Sequence, residues 1–141
     1  DGSGVRDRTW GYRDESVSFA EYINVIAVFD DFAVTTMRFG GGADGSDRTE
    51  GYRMAATAEP VVGMGITRDA CGLLAAAHMT LGRGAALELR VEERLGGFWV
   101  PMGWERRAPT MSAFDEFGRV RTADGAVGMT LTEQGAVRHL F

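Results

Sequence analysis

Between Ala86 and Glu93, Leu87, Leu89 and Val91 alternate with Glu88, Arg90 and Glu92. That is the period of a strand with one wet and one buried face. Tyr22 to Phe29 is apolar and β-branched on both faces and reads as a central strand. Asp30 and Asp31 then turn the chain into Phe32 to Phe39, which predicts a hairpin. Further strands are expected near Thr49 to Ala56, Val61 to Thr67, Phe98 to Glu105, Met111 to Phe117 and Ala126 to Glu133. Turns are expected at Gly40 to Gly45, Gly96-Gly97, Phe117-Gly118 and Asp124-Gly125. Leu73 to Leu81 would serve either a helix or a buried strand, and the regular series around it favours a strand. The pattern predicts an all-β, antiparallel chain of about nine or ten short strands, closed as a barrel or a strongly curved sandwich.

Composition agrees with that fold and narrows the chemistry. With 141 residues the chain makes one domain, and 20 Gly against 3 Pro suit a fold with many turns. All 15 basic residues are arginine, so Schiff-base, covalent PLP and P-loop mechanisms, which need a lysine, are excluded for this chain. A net charge of -5 with no basic run longer than Arg106-Arg107 argues against a nucleic-acid partner. The longest uncharged stretch, Ala70 to Gly82, is too short to span a bilayer, and a soluble, cytoplasmic protein is expected. Cys71 is the single cysteine; with His78 and His139 at no ligand spacing, neither a metal nor a cofactor is expected. There is no G-x-S-x-G elbow. The first residue is Asp1 rather than Met, which reads as a trimmed or processed product or the downstream half of a longer protein.

Candidate chemistry begins in the opening segment. As a strand, Arg6 to Glu15 carries six charges and two large aromatics on two faces, neither of them apolar. Such a segment builds either a preorganised arginine, carboxylate and ring network for a ligand or a structural ion-pair belt at a barrel mouth or domain seam. An internal echo, Asp7 to Arg13 against Asp47 to Arg53, has unmatched flanks and reads as shared turn chemistry. Glu133 follows Val127, Met129 and Leu131 on one strand face, so alternation carries its carboxylate toward the interior or its rim, where a raised pKa would suit a proton donor. The alternative is a strand-end carboxylate paired with Arg138. Glu21 sits similarly behind Val17 and Phe19, and Trp104 behind Phe98, Val100 and Met102, either walling a pocket or filling core. His78, within an apolar run, is a candidate ligand contact or a hydrogen-bonded core residue.

The run Gly4-Val5-Arg6-Asp7-Arg8-Thr9-Trp10-Gly11-Tyr12-Arg13-Asp14 resembles the motif that opens the second domain of the AttH-like and carotenoid 1,2-hydratase (hydroxyneurosporene synthase) superfamily. The closing Gly128 to Gly135 is similar to the end of that domain. The resemblance implies a lipocalin-like barrel, the C-terminal half of a two-barrel protein, with ligands held in or between the barrels. It further implies a hydrophobic, isoprenoid or polyketide-like small molecule, and hydration, isomerisation or cyclisation of it. Carried onto this chain, the motif points to Asp7, Arg8, Trp10, Arg13 and Asp14. Asp14, Glu133 or Asp7 would protonate an alkene. Trp10 or Trp104 would face the developing cation, and Tyr12, Arg8, Arg13 and His78 would hold the ligand. Two departures count against hydration specifically: the hydratases carry a Tyr-x-Asp where Phe32 to Arg38 stands here, and their motif histidine is Arg8. The other reading is a non-catalytic carrier or interaction domain. Its Arg/Asp/Trp motif would cement an interface with an N-terminal lipocalin-like domain or with a second copy of the chain.

Overall fold

In a computed structural model, residues 19–41, 45, 47–102 and 110–138 are described, and the alternation becomes eight antiparallel strands among them. They are β1 (Glu21–Val28), β2 (Ala33–Gly40), β3 (Arg48–Met54), β4 (Ala58–Arg68), β5 (Leu74–Leu81), β6 (Ala86–Met102), β7 (Thr110–Thr122) and β8 (Val127–Arg138). Each strand pairs with the next, and β1 pairs with β8, so the sheet closes into a barrel. Closure leaves no free strand edge, which is why every strand can be buried on one face without risking edge-to-edge association.

Among the described residues the expected strands are present, but those starting at Ala86 and Phe98 run together as β6, and the one starting at Met111 continues past Phe117-Gly118 as the longer β7. Gly96-Gly97 and Phe117-Gly118, expected as turns, lie inside β6 and β7 and pair with each other's strands. Their glycines serve close approach rather than reversal. A Cβ on Gly97 would lie 2.6 Å from the Phe114 ring, and one on Gly118 would lie 2.5 Å from the Glu93 carbonyl oxygen. Register shifts at Val91/Glu93 and Arg94/Gly96 bend this long strand pair around the barrel. Asp124-Gly125 does turn the chain: Gly125 has φ 96, and its N–H donates to the Thr122 carbonyl at 3.0 Å. The ambiguous Leu74–Leu81 segment is a strand, paired on both sides by β4 and β6.

The interior has two halves. Ile23, Val25, Ala27, Val34, Val61, Met64, Ala77, Met79, Leu81, Leu89 and Val120 form one apolar core, closed at the β1–β2 turn by Phe29 stacked on Phe32 at 4.3 Å. Burying each large side chain there contributes about 1.5–3 kcal/mol. Toward the opposite end, where β1 begins and β8 finishes, the inward positions turn polar. Arg94 reaches Glu116 and Asp69 and donates to the Leu74 carbonyl at 2.8 Å. Arg68 donates to Gln134 at 3.0 Å and to Glu21 at 3.2 Å, and Arg38 bridges Glu21 and Asp47. Among the described residues no helix is long and apolar enough to cross a membrane.

Candidate functional site on the outer wall

The sequence-derived candidates divide sharply. Asp7, Arg8, Trp10, Tyr12, Arg13, Asp14 and Trp104 lie outside the described residues. Glu21, on the inward face of β1, is clasped between Arg38 and Arg68 at 3.4 and 3.2 Å, an ion-pair arrangement at the barrel mouth. His78 stands on the outer face of β5, exposed, beside Thr67 and Glu88, and not in the core.

Glu133 is on the outer wall. On β8 the alternate positions Gly128, Thr130, Thr132 and Gln134 are buried, as is Gly135 beyond them, so the alternation sends Val127, Met129, Leu131 and Glu133 the other way. The expectation that this face points inward is corrected by closure. The face rich in threonine and glutamine packs inside against β1 and β7, and the face with Val127 and Met129 is left 44% and 50% exposed. Hydrophobicity alone picks the wrong side here, because the small polar residues fit beneath neighbouring strands and can bond the backbone there. Thr130 Oγ1 donates to the Ile26 carbonyl at 2.9 Å.

Glu133 nonetheless has a built environment. The Tyr22 hydroxyl donates to its Oε1 at 2.7 Å, and Asn24 Nδ2 approaches its Oε2 at 3.4 Å. Tyr22 reaches it because its cross-strand partner is Gly135: a Cβ there would lie 2.0 Å from the tyrosine ring, so only glycine lets the ring lie flat across β8. Phe19 meets that ring edge-on at 5.7 Å, and Phe19, Tyr22 and Ala113 form a second apolar cluster with Met37, Phe39 and Val100.

Directly opposite Glu133, on β7, stands Asp115, which sequence reading missed. Burial, and then the negative charge of Glu133, push its carboxyl above the ordinary carboxylate range. Its Oδ1 is buried without a hydrogen-bond partner among the described residues. Phe98 pairs with Asp115 from β6, and Phe117 pairs with Leu131 two positions along, so apolar side chains border the two carboxyls. The available signal was the alternation of Met111, Ala113, Asp115 and Phe117, which sets one acid among apolar residues. Its partner, however, comes from pairing with β8 and not from its own strand.

Facing carboxyl groups disfavour each other's charged form, and at Asp115 burial adds to that effect, so its proton is held to a higher pH than in a free carboxyl. A carboxyl of that kind suits a proton donor. By contrast, Asp69 at the inner mouth is held below the ordinary range, chiefly by the Leu73 backbone N–H, with Cys71 N–H and Arg94 assisting against its desolvation. Asp47 is lowered by its hydrogen bond to Arg38 and by that guanidinium's charge. Neither suits a proton donor. No group of three or more His, Cys, Asp or Glu among the described residues could hold a metal ion.

No protein-family model matches the chain, and neither does any curated protein. Solved structures do match. The chain is similar to CghA, solved with Sch210972, at 11% identity over 86% of this chain and 42% of that one, with a TM-score of 0.50. The chain has that barrel fold. Kievitone hydratase from Nectria haematococca is a further match, at 9% identity over 92% of this chain and 42% of that one, with a TM-score of 0.48. The chain thus spans less than half the length of either protein.

Proposed function

We propose that the outer wall around Asp115 and Glu133 binds a hydrophobic, isoprenoid or polyketide-like molecule and carries out acid–base chemistry on one of its double bonds. The observation that carries this reading is the facing carboxyl pair. Asp115 holds its proton at higher pH than a free carboxyl, and Glu133 is oriented by Tyr22 and Asn24. Asp115 gives its proton to an alkene carbon, leaving a cation. Glu133 takes a proton either from a water that attacks the cation, which is hydration, or from the neighbouring carbon, which is isomerisation. Phe98 and Phe117, half-exposed beside the pair, provide the apolar contact.

The motif resemblance adds candidate residues to this reading. Asp7, Arg8, Trp10, Tyr12, Arg13, Asp14 and Trp104 are proposed, on the resemblance alone, to contribute to ligand binding or proton transfer.

The test is deuterium uptake. The chain is incubated in D2O with a panel of isoprenoid alkenes and linear polyenes, and carbon-bound deuterium is read by mass spectrometry. Protonation by Asp115 incorporates solvent deuterium whether the product is hydrated, isomerised or cyclised. Asp115→Asn is expected to lower incorporation by about 10²-fold or more, and Glu133→Gln to lower it as well. Incorporation unaffected by both substitutions, or absent with every compound, overturns the reading.

A second reading is favoured by the exposure of Phe98, Phe117 and Met129, at 52%, 47% and 50%, on this one wall. In it the wall is a non-catalytic interface for an N-terminal lipocalin-like barrel, the chain being the C-terminal half of a two-barrel protein, or for a second copy of the chain. Sedimentation at several concentrations separates them: concentration-dependent dimers favour the second copy, and a monomer that binds an added N-terminal barrel favours the two-barrel protein.

A further inference from the structure

We propose that Thr67, His78 and Glu88, on the wall of the barrel opposite β1, form a separate acyl-transferring site. β4, β5 and β6 lie side by side, and their register sets Gly65, His78 and Glu88 in one row across the outer face. The next row contains Thr67, Ala76 and Arg90. Thr67 Oγ1 lies 3.2 Å from His78 Nε2, and His78 Nδ1 lies 3.4 Å from Glu88 Oε2. A hydroxyl, an imidazole and a carboxylate are thus in sequence, each within reach of the next, which is the arrangement that activates a hydroxyl nucleophile. In this arrangement the proton is placed on Nδ1, beside the carboxylate, so that the Nε2 lone pair accepts from Thr67.

Three features around the row favour a substrate over a mere surface network. Gly63 and Gly65 leave the outer face of β4 bare beside His78. No positive φ or close contact forces glycine there, since a Cβ would sit at an ordinary 3.9 Å from Thr80 or His78. Ala76, the smallest side chain in its row, separates Thr67 from Arg90. Arg90 pairs through Nε with Glu88 and so helps to fix that carboxylate. His78 is 45% exposed at its side chain, open to an approaching ester.

The reaction is transfer from an activated acyl ester. Thr67 Oγ1 bonds to the carbonyl carbon while its proton passes to His78 Nε2. The carbon–oxygen bond to the leaving alcohol or phenol breaks, and that oxygen takes the proton from His78. Water, deprotonated by His78, then attacks the acyl-threonine, releasing the carboxylic acid and restoring the Thr67 hydroxyl. Thr67 and His78 are the catalytic residues and Glu88 a positioning residue.

The probe is p-nitrophenyl acetate with the full chain. Thr67→Val is expected to lower hydrolysis above buffer by about 10²-fold, Thr67→Ser to retain it, and Thr80→Val, on the same face, to leave it unchanged. Glu88→Gln lowers kcat and leaves KM unaltered, which a loss of folding would not do, and far-UV dichroism checks the fold of each variant. Acetyl on Thr67 appears in peptide mass mapping after rapid acid quench. Hydrolysis no faster than buffer overturns the proposal. So does a rate that depends on His78 but is indifferent to Thr67→Val, which would mean that the imidazole alone reacts.

Discussion

The hydroxyl of Tyr22 donates to Glu133 Oε1 at 2.7 Å across the β1–β8 seam, joining residues 111 positions apart in the chain. That seam closes the barrel, so one hydrogen bond couples closure to the orientation of a candidate catalytic carboxylate. Tyr22→Phe keeps the ring and removes the donor. It is expected to cost about 1 kcal/mol in urea unfolding and to lower deuterium incorporation without changing far-UV dichroism.

Gly135 permits that contact, and its substitution is expected to be worse than loss of the hydroxyl. Gly135→Ala drives a methyl group into the Tyr22 ring, where 2.0 Å separates the new Cβ from the nearest ring carbon. Overpacking of this kind costs about 1–3 kcal/mol. Combination with Tyr22→Ala recovers part of that loss, read as a double-mutant cycle in urea. A cycle with no coupling would place the strain elsewhere.

Asp115 makes stability pH-dependent in a direction that can be worked out. Its folded-state carboxyl is raised, so the native state keeps a proton that the unfolded chain, with an ordinary value near ~3.9, has already lost. Stability is therefore greatest below the unfolded value, falls as pH rises through the interval up to the raised folded value, and stays reduced above it. Asp115→Asn removes this loss. The variant's urea midpoint should gain on the wild type as pH rises through that interval and then hold a constant advantage; parallel curves from acid to neutral pH would exclude the effect.

Asp69 acts in the opposite sense. Its carboxyl is lowered, first by the Leu73 N–H, so the stabilisation it provides is present above the ordinary carboxylate value and is lost as pH falls through the lowered one. Asp69→Asn should flatten the acid limb of the stability curve. Nearby, the Glu116 side chain is only 6% exposed and depends on Arg94. Arg94→Leu strands that charge and is expected to cost about 3–5 kcal/mol, whereas Arg94→Leu with Glu116→Leu restores most of it.

Phe98 and Phe117 are expected to separate binding from folding. Each is about half exposed, so Phe98→Ser and Phe117→Ser should change stability by no more than about 0.5–1 kcal/mol. Both should weaken binding of a fluorescent apolar probe such as bis-ANS. Equal probe binding by wild type and the double variant would remove this wall as the hydrophobic site.

Period-two alternation was sufficient to determine that this chain is all-β and where most of its strands run, because the pleat sends neighbouring side chains to opposite faces regardless of what they later touch. It also marked Glu133 as unusual among Val127, Met129 and Leu131. Two kinds of information were beyond it. Whether Gly97 and Gly118 turn the chain or let another strand approach depends on Phe114 and the Glu93 carbonyl, which only pairing brings near. Which face of β8 is inside depends on closure, since Thr130, Thr132 and Gln134 are no more apolar than their exposed neighbours. The proximity of Asp115 to Glu133, of Tyr22 to both strands of the seam, and of Thr67 to His78 follows from register between strands. A chain's local pattern specifies a strand's two faces; tertiary pairing alone decides which residues of different strands share one.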